Sequence, residues 1–178
     1  MNKLTQIFFL FLIFENSVIF SQKTNTEISG DIIYVSLPAI ALGSTCFYQA
    51  DDKPHWQFIK TYALANLITH SLKPIINEKR PNGGQHSFPS GHSTSAFAGA
   101  AFLQMRYGWK VGIPAYLLAS YVGFTRIYAK KHYIWDVAAG ALIGIGSAMI
   151  FTKKLPENYQ SSMNYNNGFY MIGINYNF

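Results

Sequence analysis

The chain has 178 residues, the length of one domain with a sizeable core. Hydrophobic residues make up 49% of the sequence and aromatic residues 16%, so the chain is more apolar than a typical soluble domain. The net charge of +6 favours anionic partners such as phosphorylated substrates or acidic lipid headgroups. Nucleic acid is not expected as a partner, because the sequence has no basic stripe and no nucleic-acid-binding motif.

Residues 1–21 have the pattern of an export signal, in which Lys3 gives the positive start and residues 7–14 the apolar centre. An uncleaved anchor is the alternative. The polar pair at 15–16 ends the apolar run well short of the roughly 20 residues that a membrane span needs, which favours the signal. Residues 22–30 are polar and are expected to be loose.

Residues 31–154 are expected to form an all-α domain, a bundle of about five helices. Ser90 suits an N-cap, Gly108 is a stop signal, and Pro114 suits the first turn of a helix. Pro74 is expected to disturb the second helix, because proline lacks the N–H that a helix interior needs. The expected helices cover about 32–48, 56–72, 90–106, 114–128 and 135–152.

Residues 155–178 form a polar and aromatic tail rich in Asn, Tyr and Ser. Asn167-Gly168 favours a tight hairpin turn, so this tail is expected to form two short strands, with disorder as the alternative. The expected organisation is therefore a signal, a loose segment, a helical domain and a tail.

Three short polar clusters interrupt the apolar sequence. In a bundle whose helices alternate up and down, all three fall at the same end. Small residues at four-residue spacing in the fifth helix, Gly140 and Gly144, predict close packing against the third helix, which would bring the clusters together. The clusters are Lys73-x6-Arg80-Pro81, then Pro89-Ser90-Gly91-His92, and then Thr125-Arg126-x5-His132-x3-Asp136.

The first two clusters and Arg126 have the chemistry of an anion site. Lys73, Arg80 and Arg126 supply three cations suited to phosphate oxygens. Ser90 and Gly91 open a helix, where unpaired backbone N–H groups also attract anions.

Two histidines complete the clusters, although a single histidine near a helix end is more often structural or solvated. One of them can attack phosphorus, and the other can protonate the departing oxygen. Asp136 follows His132 by four residues and can fix the proton on one ring nitrogen of His132. No compact spacing of His, Asp or Glu predicts a metal site, and three nearby cations disfavour a divalent cation.

Together the clusters resemble the type 2 phosphatidic acid phosphatase (PAP2) superfamily. This family includes lipid-phosphate phosphatases, bacterial non-specific acid phosphatases and vanadium haloperoxidases. The resemblance implies that His132 is the nucleophile that forms a phosphohistidine, that Asp136 orients it, and that His92 is the general acid. It also implies no divalent metal or other cofactor; Thr125 stands where serine is more usual. The phosphate-binding residues that it implies are Lys73, Arg80, Ser90, Gly91 and Arg126.

The function that the resemblance implies is a metal-independent phosphatase of phosphomonoesters or pyrophosphates. The first, fourth and fifth helices are apolar and close to the length of a membrane span, which favours a membrane-embedded protein. The expected substrate is then a lipid-linked phosphate of the phosphatidate, lipid A or polyprenyl pyrophosphate type. Basic residues at the opposite end of the bundle favour a site that faces the bacterial periplasm; they are Arg106, Lys110, Lys153 and Lys154.

Three alternatives stay open at this point. They are a soluble periplasmic acid phosphatase, a vanadium haloperoxidase, and a non-catalytic binder of phosphorylated lipid. The sequence does not assign the substrate or the oligomeric state.

Overall fold

The computed structural model describes residues 24–47, 53–155, 159–166 and 169–176. Over these residues the chain forms a bundle of five helices followed by a two-stranded antiparallel sheet, so the predicted all-α bundle is confirmed. The helices are α1 (Asn25–Phe47), α2 (Pro54–Ile76), α3 (Gly91–Tyr107), α4 (Trp109–Tyr128) and α5 (Ile134–Phe151). The strands are β1 (Tyr159–Asn166) and β2 (Phe169–Tyr176).

Helix α3 begins and ends where the sequence indicates. The side chain of Ser90 caps it and accepts a hydrogen bond from the N–H of Ser93 at 3.4 Å. Gly108, with φ of 86°, ends α3 and also leads directly into α4. Glycine is favoured in this left-handed region of φ, because the Cβ atom of any other residue would clash with the backbone there.

Three predicted boundaries are wrong. Residues 25–30 were expected to be loose, yet they form the start of α1, where the Thr24 hydroxyl accepts the N–H of Glu27 at 3.3 Å. Helix α2 continues through Pro74, because a proline in the last turn removes only one backbone hydrogen bond. Helix α4 begins at Trp109, five residues before Pro114, which lies inside its first two turns.

Helix α3 lies at the centre of the bundle and contacts each of the other four helices. Its partner α5 approaches closely: a Cβ added at Gly140 would lie 2.6 Å from the carbonyl oxygen of Ser90, and one at Gly144 would lie 2.5 Å from that of Thr94. On another side, a Cβ at Gly99 would lie 3.0 Å from the backbone nitrogen of Pro38 in α1. The small-residue packing predicted between the third and fifth helices is confirmed.

The bundle is polar in parts of its interior and apolar over much of its surface. Thr69 and Thr94 share a buried hydrogen bond of 2.9 Å between α2 and α3, whereas Leu142 is 71% exposed and Met149 68% exposed on α5. Two helices are long and apolar enough to cross a membrane, over Asn25–Cys46 and Ile134–Phe151. Interhelical polar contacts and outward apolar side chains are typical of helices packed in lipid.

At the end of the bundle where α3 finishes, Arg106 lies where the sequence places it, but its side chain is buried. It donates to the carbonyl oxygen of Lys153 at 3.3 Å and so joins α3 to the residues that follow α5. Lys110, Lys153 and Lys154 are exposed at this end. The surface charge there therefore comes from lysines and not from Arg106.

The predicted C-terminal hairpin is confirmed as a pair of eight-residue strands. Its register pairs Asn166 with Phe169 and Tyr159 with Tyr176. The predicted turn residues Asn167 and Gly168 lie outside the described residues, as does the predicted signal at 1–21. The division of the chain at 21 and 154 stays a prediction.

Candidate active site

The three polar clusters meet at one end of the bundle. The Nζ of Lys73, in the last turn of α2, donates to the carbonyl oxygens of Pro89 at 2.9 Å and His86 at 3.2 Å, which joins the first cluster to the second. The N–H of Ser90 donates to the backbone carbonyl of Asp136 at 3.0 Å, which joins the second cluster to the third. The predicted meeting of the clusters is confirmed by these contacts.

His132 lies in the turn before α5, because that helix begins only at Ile134. Its Nδ1 is 3.4 Å from Oδ2 of Asp136, an ion-pair distance longer than a well-formed hydrogen bond. The same Oδ2 accepts the backbone N–H of Tyr133 at 2.8 Å and the hydroxyl of Ser87 at 2.5 Å. The Asp136 carboxylate is therefore fixed by both the helix cap and the loop before α3.

The buried position of His132 lowers its pKa to about 3. Burial is the largest cause, followed by the positive charges of Lys73 and Arg80; Asp136 opposes them, and His92 adds a smaller lowering effect. The imidazole is consequently neutral at neutral pH. Since Nδ1 faces the Asp136 carboxylate, we assign the proton to Nδ1, which leaves the lone pair on Nε2.

Arg80 lies in the loop between α2 and α3, where its backbone is held by a tight turn with Gly83 and Gly84. Its Nε is buried and has no hydrogen-bond partner among the described residues. Burial lowers the pKa of its guanidinium, and the attraction of Asp136 partly opposes this. Such a buried donor is costly unless it meets an acceptor, so the loop holds a cation suited to an anionic ligand.

Arg126 and His92 meet at a residue of α1 that the sequence analysis did not single out. The Oδ1 of Asp31 lies 2.9 Å from Nη1 of Arg126 and 3.2 Å from Nε2 of His92. Arg126 is only 1% exposed, and it also donates to the Thr125 hydroxyl and to the backbone carbonyl of Glu27. Two of the predicted site residues are thus held together by α1.

The remaining predicted residues, Ser90 and Gly91, open α3. The Ser90 hydroxyl accepts hydrogen bonds from the N–H and the hydroxyl of Ser93, so its side chain has a capping role in this structure. A Cβ added at Gly91 would lie 4.0 Å from Cε of Lys73, which places the start of α3 beside that cation. The arrangement matches the predicted anion site, while the role of each residue stays a prediction.

Four residues at the site were missed: Glu27, Asp31, Tyr34 and Ser87. A signal for the first two was present, because Glu27 and Asp31 stand four residues apart directly before an apolar run. Carboxylates at helical spacing in an apolar helix face the bundle interior and pair with cations. Ser87 left no such signal, since a single serine in a loop is common.

No group of three His, Cys, Asp or Glu side chains is placed to hold a metal ion within the part of the chain that the structure describes. The positive charge of the site is instead carried by Lys73, Arg80 and Arg126.

Comparison with known proteins identifies relatives of this chain. The family described as the PAP2 superfamily matches residues 82–160. The chain is also 35% identical over 108 residues to the lipid A 4'-phosphatase of Helicobacter pylori, covering 52% of this chain and 54% of that protein. The predicted resemblance to the PAP2 superfamily is confirmed over residues 82–160.

Two solved structures share the PAP2 fold with this chain. The crystal structure of Aquifex aeolicus LpxE matches with a TM-score of 0.56 and 26% identity, over 67% of this chain and 83% of the other. The transmembrane PAP2-type phosphatidylglycerolphosphate phosphatase of Bacillus subtilis matches with a TM-score of 0.53 and 20% identity, over 80% of this chain and 91% of the other. The word transmembrane describes the Bacillus subtilis protein; in this chain, α1 and α5 are the described helices long and apolar enough to cross a membrane.

The PAP2 match has limits along the chain. Lys73 and Arg80 lie before the matched residues 82–160, and so does all of α1. The chain also spans only about half the length of the Helicobacter pylori relative. The contacts of Lys73 with Pro89 and of Asp31 with Arg126 and His92 therefore connect the earlier helices to the matched part of the site.

Proposed function

We propose that this PAP2 protein is a metal-independent phosphatase that forms a phosphohistidine on His132. The observation that supports this most directly is the environment of His132. Its imidazole is buried and neutral, its Nδ1 faces the Asp136 carboxylate, and the charges of Lys73 and Arg80 both lower its pKa. A neutral imidazole next to cations is a nucleophile placed where an anionic phosphoryl group is attracted.

In the first step, the lone pair on Nε2 of His132 attacks phosphorus. The bond from phosphorus to the leaving oxygen breaks, its electron pair stays on that oxygen, and His92 supplies the proton. In the second step, neutral His92 takes a proton from water as the water oxygen bonds to phosphorus. The phosphorus–nitrogen bond then breaks and its electron pair returns to Nε2. Throughout, Lys73, Arg80 and Arg126 balance the charge on the phosphoryl oxygens.

The proposed substrate is a lipid-linked phosphomonoester or pyrophosphate. Exposed apolar side chains lie beside the site, with Ile75 75% exposed near the end of α2 and Ile134 67% exposed at the start of α5. Trp135 is adjacent and donates its indole N–H to Glu78 at 3.1 Å, the amphipathic arrangement favoured at a membrane surface. These surfaces suit the acyl chains of a lipid whose phosphate enters the cationic site. The lipid A phosphatase relative supports the same substrate class.

The proposed site faces the periplasm. Lys110, Lys153 and Lys154 are exposed at the opposite end of the bundle, and basic residues are enriched on the cytoplasmic side of membrane proteins. Labelling with an impermeant reagent tests this orientation: cysteines introduced at exposed positions near Ile134 should react in intact cells, and cysteines near Lys110 should not. The reverse pattern would overturn the orientation.

The decisive experiment is phosphate release by detergent-extracted protein from a panel of diphosphorylated lipid A, phosphatidate, a polyprenyl pyrophosphate and p-nitrophenyl phosphate. Lipid phosphates should be turned over best. His132→Ala should abolish release, while His55→Ala, which alters an exposed histidine at the far end of α2, should leave it unchanged. Near-normal turnover by the His132 variant would contradict the proposed nucleophile. Recovery of activity in a soluble periplasmic extract would favour an acid phosphatase, and bromide oxidation with added vanadate a haloperoxidase.

A further inference from the structure

The first three turns of α1 form a side of the site that the PAP2 motifs do not contain. Glu27, Asp31 and Tyr34 are spaced four and three residues apart, so they share one face of the helix. Each contacts a residue at the site end of the bundle. Glu27 pairs with Lys131, and its backbone carbonyl accepts from Arg126.

Asp31 contacts two of the proposed functional residues at once. One of its oxygens, Oδ1, lies 2.9 Å from Nη1 of Arg126 and 3.2 Å from Nε2 of His92. Arg126 is almost fully buried, and a buried guanidinium needs a charged or polar partner. The carboxylate therefore fixes the direction of Arg126 while it also fixes His92.

Tyr34 adds a second, independent restraint on His92. The centroids of the two rings are 4.1 Å apart, with an interplanar angle of 30°. Tyr34 is 5% exposed and belongs to the hydrophobic core, so it is itself held in place. The imidazole of His92 thus lies tilted against the buried Tyr34 ring, while Nε2 of His92 faces Asp31.

We propose that Asp31 is a positioning residue that aligns His92 as proton donor and Arg126 as phosphate ligand. The proposal rests on the phosphatase function proposed above. The carboxylate at Nε2 of His92 fixes the orientation of the ring, and its second contact fixes the distance between the proton donor and the phosphate-binding cation. Small displacements of such groups reduce rate strongly, because proton transfer requires hydrogen-bond reach.

The test compares two leaving groups in Asp31→Asn. An alkyl phosphate, or lipid A itself, needs a proton on its departing oxygen, whereas p-nitrophenolate leaves without one. If Asp31 aligns the acid, kcat/KM for the alkyl substrate, which reports the step that expels the leaving group, should fall about 100-fold, within the range that general acid catalysis contributes. The fall for p-nitrophenyl phosphate should be about tenfold and reflect Arg126 alone.

Matched variants make the outcome specific. Asp52→Asn makes the same carboxylate-to-amide change between the end of α1 and the start of α2, outside the three polar clusters, and it should leave both activities unchanged. Asp31→Glu keeps the charge and should restore part of the alkyl activity. An equal loss for both substrates, in step with a loss of folded protein, would reduce Asp31 to a structural role and overturn the proposal.

The role proposed for Asp31 and the proposed phosphatase function can be refuted separately. If the wild-type protein releases no phosphate from any substrate, the phosphatase assignment itself is wrong. If the wild-type protein is active and Asp31→Asn keeps wild-type kcat/KM for both substrates, only the role of Asp31 is wrong.

Discussion

Replacing Ser87 with alanine tests how far the proposed nucleophile depends on the orientation of Asp136. The Ser87 hydroxyl donates to Oδ2 of Asp136 at 2.5 Å, and both side chains are fully buried. A hydrogen bond to a charged group contributes about 1.5–3 kcal/mol. The N–H of Tyr133 remains on the same oxygen at 2.8 Å, so the loss is limited to the hydrogen bond that Ser87 makes and the buried carboxylate keeps one partner.

A loss of about 1.4–2.8 kcal/mol in the transition state corresponds to a ten- to hundredfold lower rate. We therefore expect Ser87→Ala to lower kcat by about that factor, with KM changed by less than about twofold, because no phosphate-binding side chain is altered. The assay is steady-state phosphate release in detergent. Ser147→Ala is the control, since that buried hydroxyl donates only to the Ile143 carbonyl within α5 in the described structure.

Two results would refute this reasoning. Wild-type kcat in a folded Ser87 variant would mean that Tyr133 alone positions Asp136. A raised KM with unchanged kcat would mean that Ser87 acts in substrate binding and not through the nucleophile.

Four further predictions follow from the site and the helix packing. Burial and nearby cations lower the pKa of His132 to about 3, so kcat/KM should show no loss from protonation of this nucleophile until the pH falls towards that value. A fall of kcat/KM to half on acidification to about pH 6.5 would contradict the proposed role of His132. Between pH 6.5, the ordinary pKa of histidine, and about pH 3, His132 binds a proton in the unfolded chain but not in the folded one. The free energy of unfolding should therefore fall as the pH falls through this range, and denaturant unfolding measures it. Phosphate release should survive EDTA and be inhibited by vanadate; restoration of EDTA-treated protein by zinc or magnesium would refute the metal-independent mechanism. Gly144→Ala should destabilise the bundle by about 1–3 kcal/mol, because its Cβ would lie 2.5 Å from the Thr94 carbonyl, whereas Gly146→Ala has open space and should be neutral in thermal unfolding.

The bundle and the end at which its polar clusters meet could be predicted from local signals. Ser90, Gly108 and the glycines of α5 each act through the backbone, and such effects depend on the residue and its immediate neighbours. Helix alternation then decides which ends lie together, without knowledge of side-chain contacts.

The contacts within the site were less predictable, because they depend on distant parts of the chain. Asp31 reaches Arg126 and His92 only because α1 packs beside α3 and α4, and nothing near Asp31 in sequence indicates those partners. The start of α1 was also misjudged, since a polar segment is typical of a loop. The start of α1 carries carboxylates because they pair with cations of the site.

The same pairing has a consequence for the synthesis of the protein in the cell. Arg126 follows Glu27 by 99 residues and Lys131 follows it by 104. At about 5–20 residues per second, translation takes roughly 5–20 s to cover that distance. During this interval α1 carries two carboxylates whose cations have not yet been made. We expect carbonate to extract a nascent chain stalled after α3 from membranes more readily than one stalled after α4. The double variant Glu27→Gln and Asp31→Asn should remove that difference.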